Sequence, residues 1–162
     1  MGRVVSTDFF QNEFQNIRGS QKVVFTNGCF DLLHAGHVAY LQEAKEQGEL
    51  LVLGLNSDSS VRGLKGPTRP IQKEDDRAFI LAGLGCIDYV CLFSDETPID
   101  LIKAVKPDVL VKGGDWKPEQ IVGSDFVLER GGEVKSLKFV EGRSTTNIVD
   151  IITQQVKDSL GV

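Results

Sequence analysis

The strongest constraint on the fold of this chain is a regular alternation between short apolar runs and stretches that suit helices. The apolar runs occupy residues 23–26, 50–55, 89–93, 109–111 and 134–139. Helix-compatible sequence occupies residues 36–47, 73–84, 98–105, 118–130 and 145–160, with a short helix near residues 8–17. Strands that read as continuous apolar runs belong to parallel sheets buried on both faces and joined by right-handed crossovers. The pattern therefore predicts an α/β, Rossmann-like fold with a five-stranded parallel sheet and helices on both faces.

Length and charge narrow the class of protein further. With 162 residues the chain fits one domain, in which residues 1–20 form an N-terminal helical extension. The formal net charge of −5 argues against nucleic acid and acidic membranes as partners, because both attract basic surfaces. No apolar stretch is long enough for a signal peptide or a membrane span, so we expect a cytoplasmic protein.

The turn after the first apolar run carries the clearest chemical signal. Residues 26–37 read Thr-Asn-Gly-Cys-Phe-Asp-Leu-Leu-His-Ala-Gly-His and lead into a helix. His34 and His37, three residues apart, share one face of a first helical turn, beside free backbone N–H groups and the positive end of the helix dipole. These features favour bound phosphate and indicate phosphoryl or nucleotidyl transfer.

Two simpler interpretations compete at this turn. The histidines could stabilise a helix cap, or they could bind zinc together with Cys29 and Asp31, although four ligands within nine residues suit no usual structural zinc spacing. Other polar segments follow later strands, namely Asp58, residues 112–116 and residues 144–146. In parallel sheets ligands bind beyond the carboxyl ends of the strands, so we expect these segments to converge there.

The string Gly28-x-Phe30-Asp31-x-x-His34-x-Gly36-His37 resembles the nucleotide-binding motif of the cytidylyltransferase-like nucleotidyltransferases. The resemblance implies that the two histidines hold the triphosphate and stabilise the transition state. A second segment, residues 141–147, resembles the family's Ser-Thr-Thr segment, which binds the β and γ phosphates; an ordinary N-cap is the alternative. The implied catalytic residues are His34, His37 and Lys65. The implied nucleotide-binding residues are Thr26, Asn27, Gly28, Cys29, Phe30, Gly36, Lys112, Gly113, Asp115, Arg143, Ser144, Thr145 and Thr146.

The same resemblance implies which residues bind the acceptor. Lys65 lies in a Gly- and Pro-containing stretch, and we expect a flexible loop there that closes over the phosphates of both substrates. The implied acceptor-binding residues are Asp31, Lys65, Arg77, Asp115 and Trp116. For Arg77 the alternative is a solvated side chain, and for Trp116 it is a place in the core or in an interface. No metal ligands are predicted on the protein, because Mg²⁺ commonly binds through substrate phosphates and water and here would be carried by ATP.

Within the family, residues 21–152 are most similar to the heptose 1-phosphate adenylyltransferases. The likeness rests on residues 25–37, 55–62, 63–66, 69–70 and 111–116. It implies transfer of AMP from ATP to D-glycero-β-D-manno-heptose 1-phosphate, giving ADP-heptose and pyrophosphate for lipopolysaccharide and related glycans. In many such proteins a sugar kinase forms the first half, so we expect a separate heptose kinase to supply this chain. The family also forms dimers, which makes a homodimer an expectation.

Two other functions stay open at this stage. Glycerol 3-phosphate cytidylyltransferases share the histidine motif, but they carry an Arg-Thr pair where this chain has Phe139 and Val140. Arg143 is then the candidate to replace the lost charge. A non-catalytic nucleotide-binding module on the same fold is the other alternative, because fold alone does not determine function.

Overall fold

The structure is a computed structural model that describes residues 1–138 and 142–161. Within these residues six parallel strands form one sheet: β1 (Arg3–Val5), β2 (Val23–Gly28), β3 (Leu50–Asn56), β4 (Tyr89–Phe93), β5 (Val109–Gly113) and β6 (Glu133–Leu137). The helices are α1 (Thr7–Asn12), α2 (Phe14–Arg18), α3 (Ala35–Lys45), α4 (Asp58–Lys65), α5 (Glu74–Ala82), α6 (Ile99–Val105), α7 (Ser124–Glu129) and α8 (Thr145–Leu160), with a 3₁₀ turn at Pro118–Gln120. The predicted parallel α/β architecture is confirmed, but the sheet has six strands rather than five.

The strand order β1-β4-β3-β2-β5-β6 determines where a ligand can bind. The chain builds outward from β2 through β3 to β4, and then returns to place β5 on the other side of β2. Crossovers to opposite sides leave a crevice between β2 and β5 at their carboxyl ends, and this is the usual ligand position in open parallel sheets. The motif turn follows β2, so it lies at this crevice.

The extra strand, β1, comes from the segment predicted to be only a helical extension. Residues 3–5 pair in parallel with residues 89–91 at the edge of the sheet. Helices α1 and α2 follow and bury Phe9, Phe10 and Phe14 against Tyr89. Residues 1–20 are therefore part of the sheet and of its core.

Both faces of the sheet are covered by apolar side chains. On one face the three phenylalanines of residues 1–20 pack with residues of α6 and α7, such as Ile102 and Val127. On the other face α3 and α5 contribute Leu41 and Leu81. This two-sided burial explains why the central strands read as uninterrupted apolar runs.

Several helix boundaries differ from the sequence prediction. Residues 58–65 were not predicted to be helical, and Lys65 was expected in a loop, but they form α4. This helix begins at an N-cap in which Ser57 Oγ accepts from the Ser60 N–H. The predicted helix 118–130 is a 3₁₀ turn followed by the short α7, because Gly123 adopts a left-handed φ of 88° between them. The predicted end of the last strand at Phe139 lies outside the described residues. None of the described helices is long and apolar enough to cross a membrane.

Candidate active site

A cavity of about 350 Å³ opens at the carboxyl ends of β2 and β5, in the crevice that the strand order leaves there. Eleven of its lining residues are predicted site residues: Asn27, Gly28, Cys29, Phe30, Asp31, His37, Lys65, Lys112, Gly113, Thr145 and Thr146. Two further residues, Tyr40 and Arg69, line the cavity and were not predicted. Tyr40 lies within α3 and carried no signal of a site, whereas Arg69 belongs to residues 69–70, which resemble the family but were given no role.

The two histidines stack on each other at the start of α3. Their ring centroids are 3.8 Å apart and the rings are inclined by 21°. The Nδ1 atoms of both rings are buried and have no hydrogen-bond partner among the described residues. This leaves Nε2 of each ring as the nitrogen available to a ligand. His34 is the N-cap residue, yet its side chain makes no capping hydrogen bond, so the simple capping interpretation of His34 is not supported.

The surroundings keep both imidazoles neutral near pH 7. Burial, and then the charge of Arg143, lowers the pKa of His34. Burial, the neighbouring His34 and Lys65 together lower the pKa of His37 to about 4. A neutral imidazole can still donate one N–H, and bound phosphate would favour the charged form. The pair is therefore suited to stabilise negative charge that arrives or develops beside it.

Close packing explains two glycines and one unusual backbone angle of the motif. A Cβ on Gly28 would lie 2.8 Å from the Phe30 ring, and a Cβ on Gly36 would lie 3.0 Å from both His34 Nδ1 and Arg143 Cβ. Phe30 itself has a φ of 43°, and its ring centroid is 5.1 Å from that of His37. A non-glycine residue at positive φ is uncommon and tends to mark a functional turn. The motif thus brings Arg143 against the histidine pair.

Asp31, predicted to bind the acceptor, is engaged by the protein. Its carboxylate accepts hydrogen bonds from the N–H groups of Ile71 (2.8 Å) and Gln72 (2.9 Å) and from Arg69 Nη1 (3.0 Å). These bonds hold its pKa below the usual range, although burial opposes them. The carboxylate therefore anchors the segment after α4 to the motif turn and brings Arg69 into the cavity wall.

Arg77 is neither solvated nor in the cavity wall. Its side chain is fully buried, and the residue is 1% exposed. The guanidinium donates to the carbonyls of Gln72, Cys29 and Asn56 and forms an ion pair with Asp58 at 2.8 Å. The alternative of a solvated Arg77 side chain is therefore wrong, because its guanidinium is buried and bonded to other groups of the protein. Arg77 and Asp58 were both predicted to lie near the ligand. Together they connect the motif turn to the last residue of β3 and the first residue of α4.

The start of α8 meets the motif turn as the sequence predicts. Ser144 Oγ accepts from the Asn147 N–H at 3.0 Å, so Ser144 is an N-cap. Thr145 Oγ1 donates to the Leu32 carbonyl at 3.2 Å, which fixes the helix start to the motif turn. Thr146 lines the cavity. Glu141, the first residue of the predicted segment, and the preceding pair Phe139 and Val140 lie outside the described residues.

The predicted site residues lie at different depths relative to the cavity, as Lys65, Cys29 and Thr26 show. Lys65 is the last residue of α4, not part of a loop, and its exposed side chain lines the rim of the cavity. Burial raises the pKa of the Cys29 thiol, although Lys65, Arg77 and Lys112 oppose that effect. Thr26 is buried below the cavity, where its Oγ1 lies 2.6 Å from Tyr40 Oη. The Thr26 side chain therefore contacts Tyr40 and does not line the cavity. Burial raises the pKa of Tyr40 to about 12.

Asp115 and Trp116 lie beyond the end of β5, outside the cavity wall. Both are exposed, Trp116 by 45%, so the core alternative for Trp116 is wrong. The Trp116 indole N–H donates to the Gly113 carbonyl at 3.0 Å. Both residues therefore lie at the surface next to the carboxyl end of β5, and neither lines the cavity.

The zinc alternative finds no set of ligands. Within residues 1–138 and 142–161, no group of three or more His, Cys, Asp or Glu side chains is placed to hold a metal ion. Asp31, one of the imagined ligands, is instead bonded to Arg69 and to two backbone N–H groups.

Comparison with known proteins agrees with this geometry. The model of the family described as cytidylyltransferase-like matches residues 25–151. The bifunctional protein HldE of Trichlorobacter lovleyi is 59% identical over 138 residues, which are 85% of this chain and 28% of that protein. The bifunctional protein HldE of Syntrophotalea carbinolica is 60% identical over 135 residues, 83% of this chain and 28% of that protein. The chain thus spans less than a third of the length of these curated relatives.

Solved structures share the fold. The lipopolysaccharide core biosynthesis protein from Thermoplasma volcanium is 28% identical with a TM-score of 0.61, covering 76% of this chain and 100% of that chain. A pantoate-beta-alanine ligase from Francisella tularensis is 16% identical with a TM-score of 0.57, covering 90% of this chain and 69% of that chain. The second likeness shows the fold alone.

Proposed function

Since this chain belongs to the cytidylyltransferase-like family, we propose that it transfers AMP from ATP to D-glycero-β-D-manno-heptose 1-phosphate. The products are ADP-heptose and pyrophosphate. The observation that carries this proposal is the identity of 59% with a bifunctional protein HldE over 85% of the chain. It agrees with the resemblance of residues 111–116 and of the motif turn to heptose 1-phosphate adenylyltransferases.

The proposed reaction is a displacement at the α-phosphorus of ATP. An oxygen of the acceptor phosphate forms the new P–O bond, and the bond from the α-phosphorus to the bridging oxygen breaks as pyrophosphate leaves with the electron pair. Negative charge builds on the α-phosphate and on the leaving group, so positioned donors matter more than a protein nucleophile. We assign this role to His34 and His37, to Lys65 at the cavity rim, and to the start of α8.

The side chains fit a Mg²⁺ ion that arrives on the triphosphate. Asp31, the one carboxylate among the described residues of the cavity wall, already accepts bonds from Arg69 and two backbone N–H groups. A magnesium ion here would therefore be held by phosphates and water, which is common for this ion. Its part is to neutralise charge on the triphosphate.

The proposed acceptor indicates which kind of enzyme would supply it and how its product would be used. Phosphorylation of a sugar by a kinase is one route to such a phosphate. We propose a separate heptose kinase as the supplier, with ADP-heptose used for lipopolysaccharide and related glycans. We keep a homodimer as a proposal. Large apolar side chains on α5, Phe79 and Ile80, are exposed by 69% and 38% and offer a surface for it.

The test is a panel of pyrophosphate-release assays. The purified protein with Mg²⁺ is given each of ATP, CTP, GTP and UTP, paired with the β-heptose 1-phosphate or with glycerol 3-phosphate. Release with ATP and the heptose phosphate alone is the expected result. Release with CTP and glycerol 3-phosphate would replace the proposal by a cytidylyltransferase, and ATP binding with no release in any well would favour a non-catalytic module. His34→Ala protein in the same wells controls for contaminating pyrophosphatase and transferase activity.

A further inference from the structure

The positive charges around the cavity are not all balanced by the protein. Among the described residues of its wall, the cations are Lys65, Arg69 and Lys112, and the one carboxylate is Asp31. Asp31 is paired with Arg69 at 3.0 Å. Two lysines therefore face the cavity without an acidic partner in its wall, and the reaction brings two separate phosphate-bearing substrates.

Lys112 differs from Lys65 in its place and surroundings. It lies near the end of β5, is half-buried, and its Nζ is 3.4 Å from Asn27 Oδ1 on the neighbouring strand β2. Within residues 1–138 and 142–161, this neutral amide is the only side-chain hydrogen-bond partner recorded for the ammonium group. Burial lowers the pKa of Lys112, as expected for a cation that lacks an anionic partner.

The two lysines reach the cavity from different elements. Lys65 is the last residue of α4 and is exposed at the rim, where its charge also lowers the pKa of His37. Lys112 lies on β5 at the floor between β2 and β5, with its Nζ beside Asn27 Oδ1 of β2. The histidines, Lys65 and the start of α8 already serve the triphosphate in the proposed function. Lys112 lies at the floor of the cavity, where it can contact a second anion that has entered the site.

We propose that Lys112, oriented by Asn27, binds the phosphate of the acceptor and so selects a phosphorylated acceptor. This inference rests on the proposed function and assigns Lys112 to the acceptor rather than to the nucleotide, with which the sequence resemblance had grouped it. Two phosphates that approach to bonding distance repel each other. A buried ammonium group beside the attacking acceptor phosphate reduces that repulsion. An acceptor without the phosphate leaves the ammonium group desolvated and unpaired, which penalises its binding.

The test separates the acceptor from the nucleotide by filling the nucleotide site first. Wild-type protein is saturated with α,β-methylene-ATP, in which the bond that breaks is replaced by a stable one. It is then titrated by calorimetry with inorganic phosphate and with the β-heptose 1-phosphate. The same titrations are made with Lys112→Met, Lys112→Arg and Lys157→Met. Lys157 is an exposed lysine of α8, so its substitution removes the same charge away from the cavity.

We expect Lys112→Met to weaken binding of both phosphates by about ten- to a hundred-fold, the scale of one charge-assisted hydrogen bond. Lys112→Arg and Lys157→Met should stay within about threefold of wild type. The affinity of each variant for α,β-methylene-ATP, measured without acceptor, should be unchanged, which also shows that Lys112→Met is folded.

Two results would overturn the inference. One is Lys112→Met binding both phosphates as tightly as wild type, and the other is wild-type protein binding neither. A loss of affinity for α,β-methylene-ATP in Lys112→Met, with acceptor binding intact, would return Lys112 to the nucleotide. Failure of the proposed function looks different: the assay panel is silent with the heptose phosphate, while inorganic phosphate still binds in the Lys112-dependent manner.

Discussion

The ring centroids of His34 and His37 are 3.8 Å apart, and protonation of either ring is unfavourable in this stacked arrangement. Both Nδ1 atoms are buried without partners, and Arg143 and Lys65 add positive charge nearby. Neutral rings can donate from Nε2, and the anionic substrate itself supplies the charge that favours protonation. The residue pair thus responds to its ligand instead of carrying a permanent charge.

This arrangement predicts how stability depends on pH. The pKa of His37 falls from the ordinary 6.5 to about 4 on folding, so the unfolded chain binds more protons between those values. The free energy of unfolding should therefore fall as pH drops from 6.5 towards 4. His37→Gln should reduce that slope, by up to about 1.4 kcal/mol per pH unit. Urea unfolding at several pH values checks this; equal slopes in variant and wild type would contradict the assigned neutral state.

Removal of the other ring should affect catalysis far more than folding. His34→Ala is expected to lower kcat by about a hundred-fold or more, as when one transition-state donor is removed. The thermal midpoint should stay close to that of wild type, because His34 caps no N–H group. Pyrophosphate release under saturating substrates measures the effect. Wild-type turnover in this variant would exclude the proposed mechanism.

Sequence reasoning located the histidines but did not reveal which protein groups the nearby charged residues bond to. Asp31 and Arg77 have the residue types of ligand contacts, and pattern alone does not show which partner they meet. In the structure Asp31 is bonded to residues 69–72, and Arg77 is buried among three carbonyls and Asp58. Those partners are distant in sequence, so only the folded chain reveals them.

At the scale of elements, the site is a motif turn braced by the segment between α4 and α5. Arg77 at the start of α5 reaches the Cys29 carbonyl of the turn and the Asn56 carbonyl of β3. Asp31 reaches from the turn to residues 69–72. The sequence missed α4, because Gly63, Ser59 and Ser60 weaken its helix signal, although Ser57 supplies an ordinary N-cap.

Loss of the Arg77 brace should be costly. Arg77→Met leaves Asp58 and three carbonyls without their donor, and we expect a loss of about 3 kcal/mol or more in the free energy of unfolding. Arg62→Met, at an exposed arginine of α4, is the matched control and should change stability by less than about 0.5 kcal/mol. Chemical denaturation measures both. Equal stability of the two variants would show that the buried guanidinium contributes nothing to the fold.

At the scale of the whole molecule, residues 1–20 complete the architecture. The sequence predicted one short helix there but not β1, because three residues are too few for a strand pattern to be recognised. The central strands were predicted well, since burial on both faces forces an apolar run that can be read directly. The order of the strands, and hence the crevice between β2 and β5, follows from long-range pairing that a single sequence does not display.

The contribution of residues 1–20 can be measured with one buried and one exposed apolar side chain. Phe10 is fully buried, with its ring 5.0 Å from that of Phe14, whereas Leu160 on α8 is 70% exposed. Phe10→Ala should lower the free energy of unfolding by about 3–5 kcal/mol, and Leu160→Ala by less than about 0.5 kcal/mol. Thermal unfolding at one protein concentration compares them. A small effect at Phe10 would mean that residues 1–20 do not belong to the cooperative core.

The uncharged state of the stacked imidazoles also bears on which anions the empty crevice attracts. Burial and the contact between the rings lower the pKa of both, so a proton on either ring has to be stabilised by the bound anion. A triphosphate supplies more negative charge for this purpose than a monovalent anion such as chloride. Selectivity for polyanions over the small anions of the surrounding solution follows from two rings that prefer to be neutral.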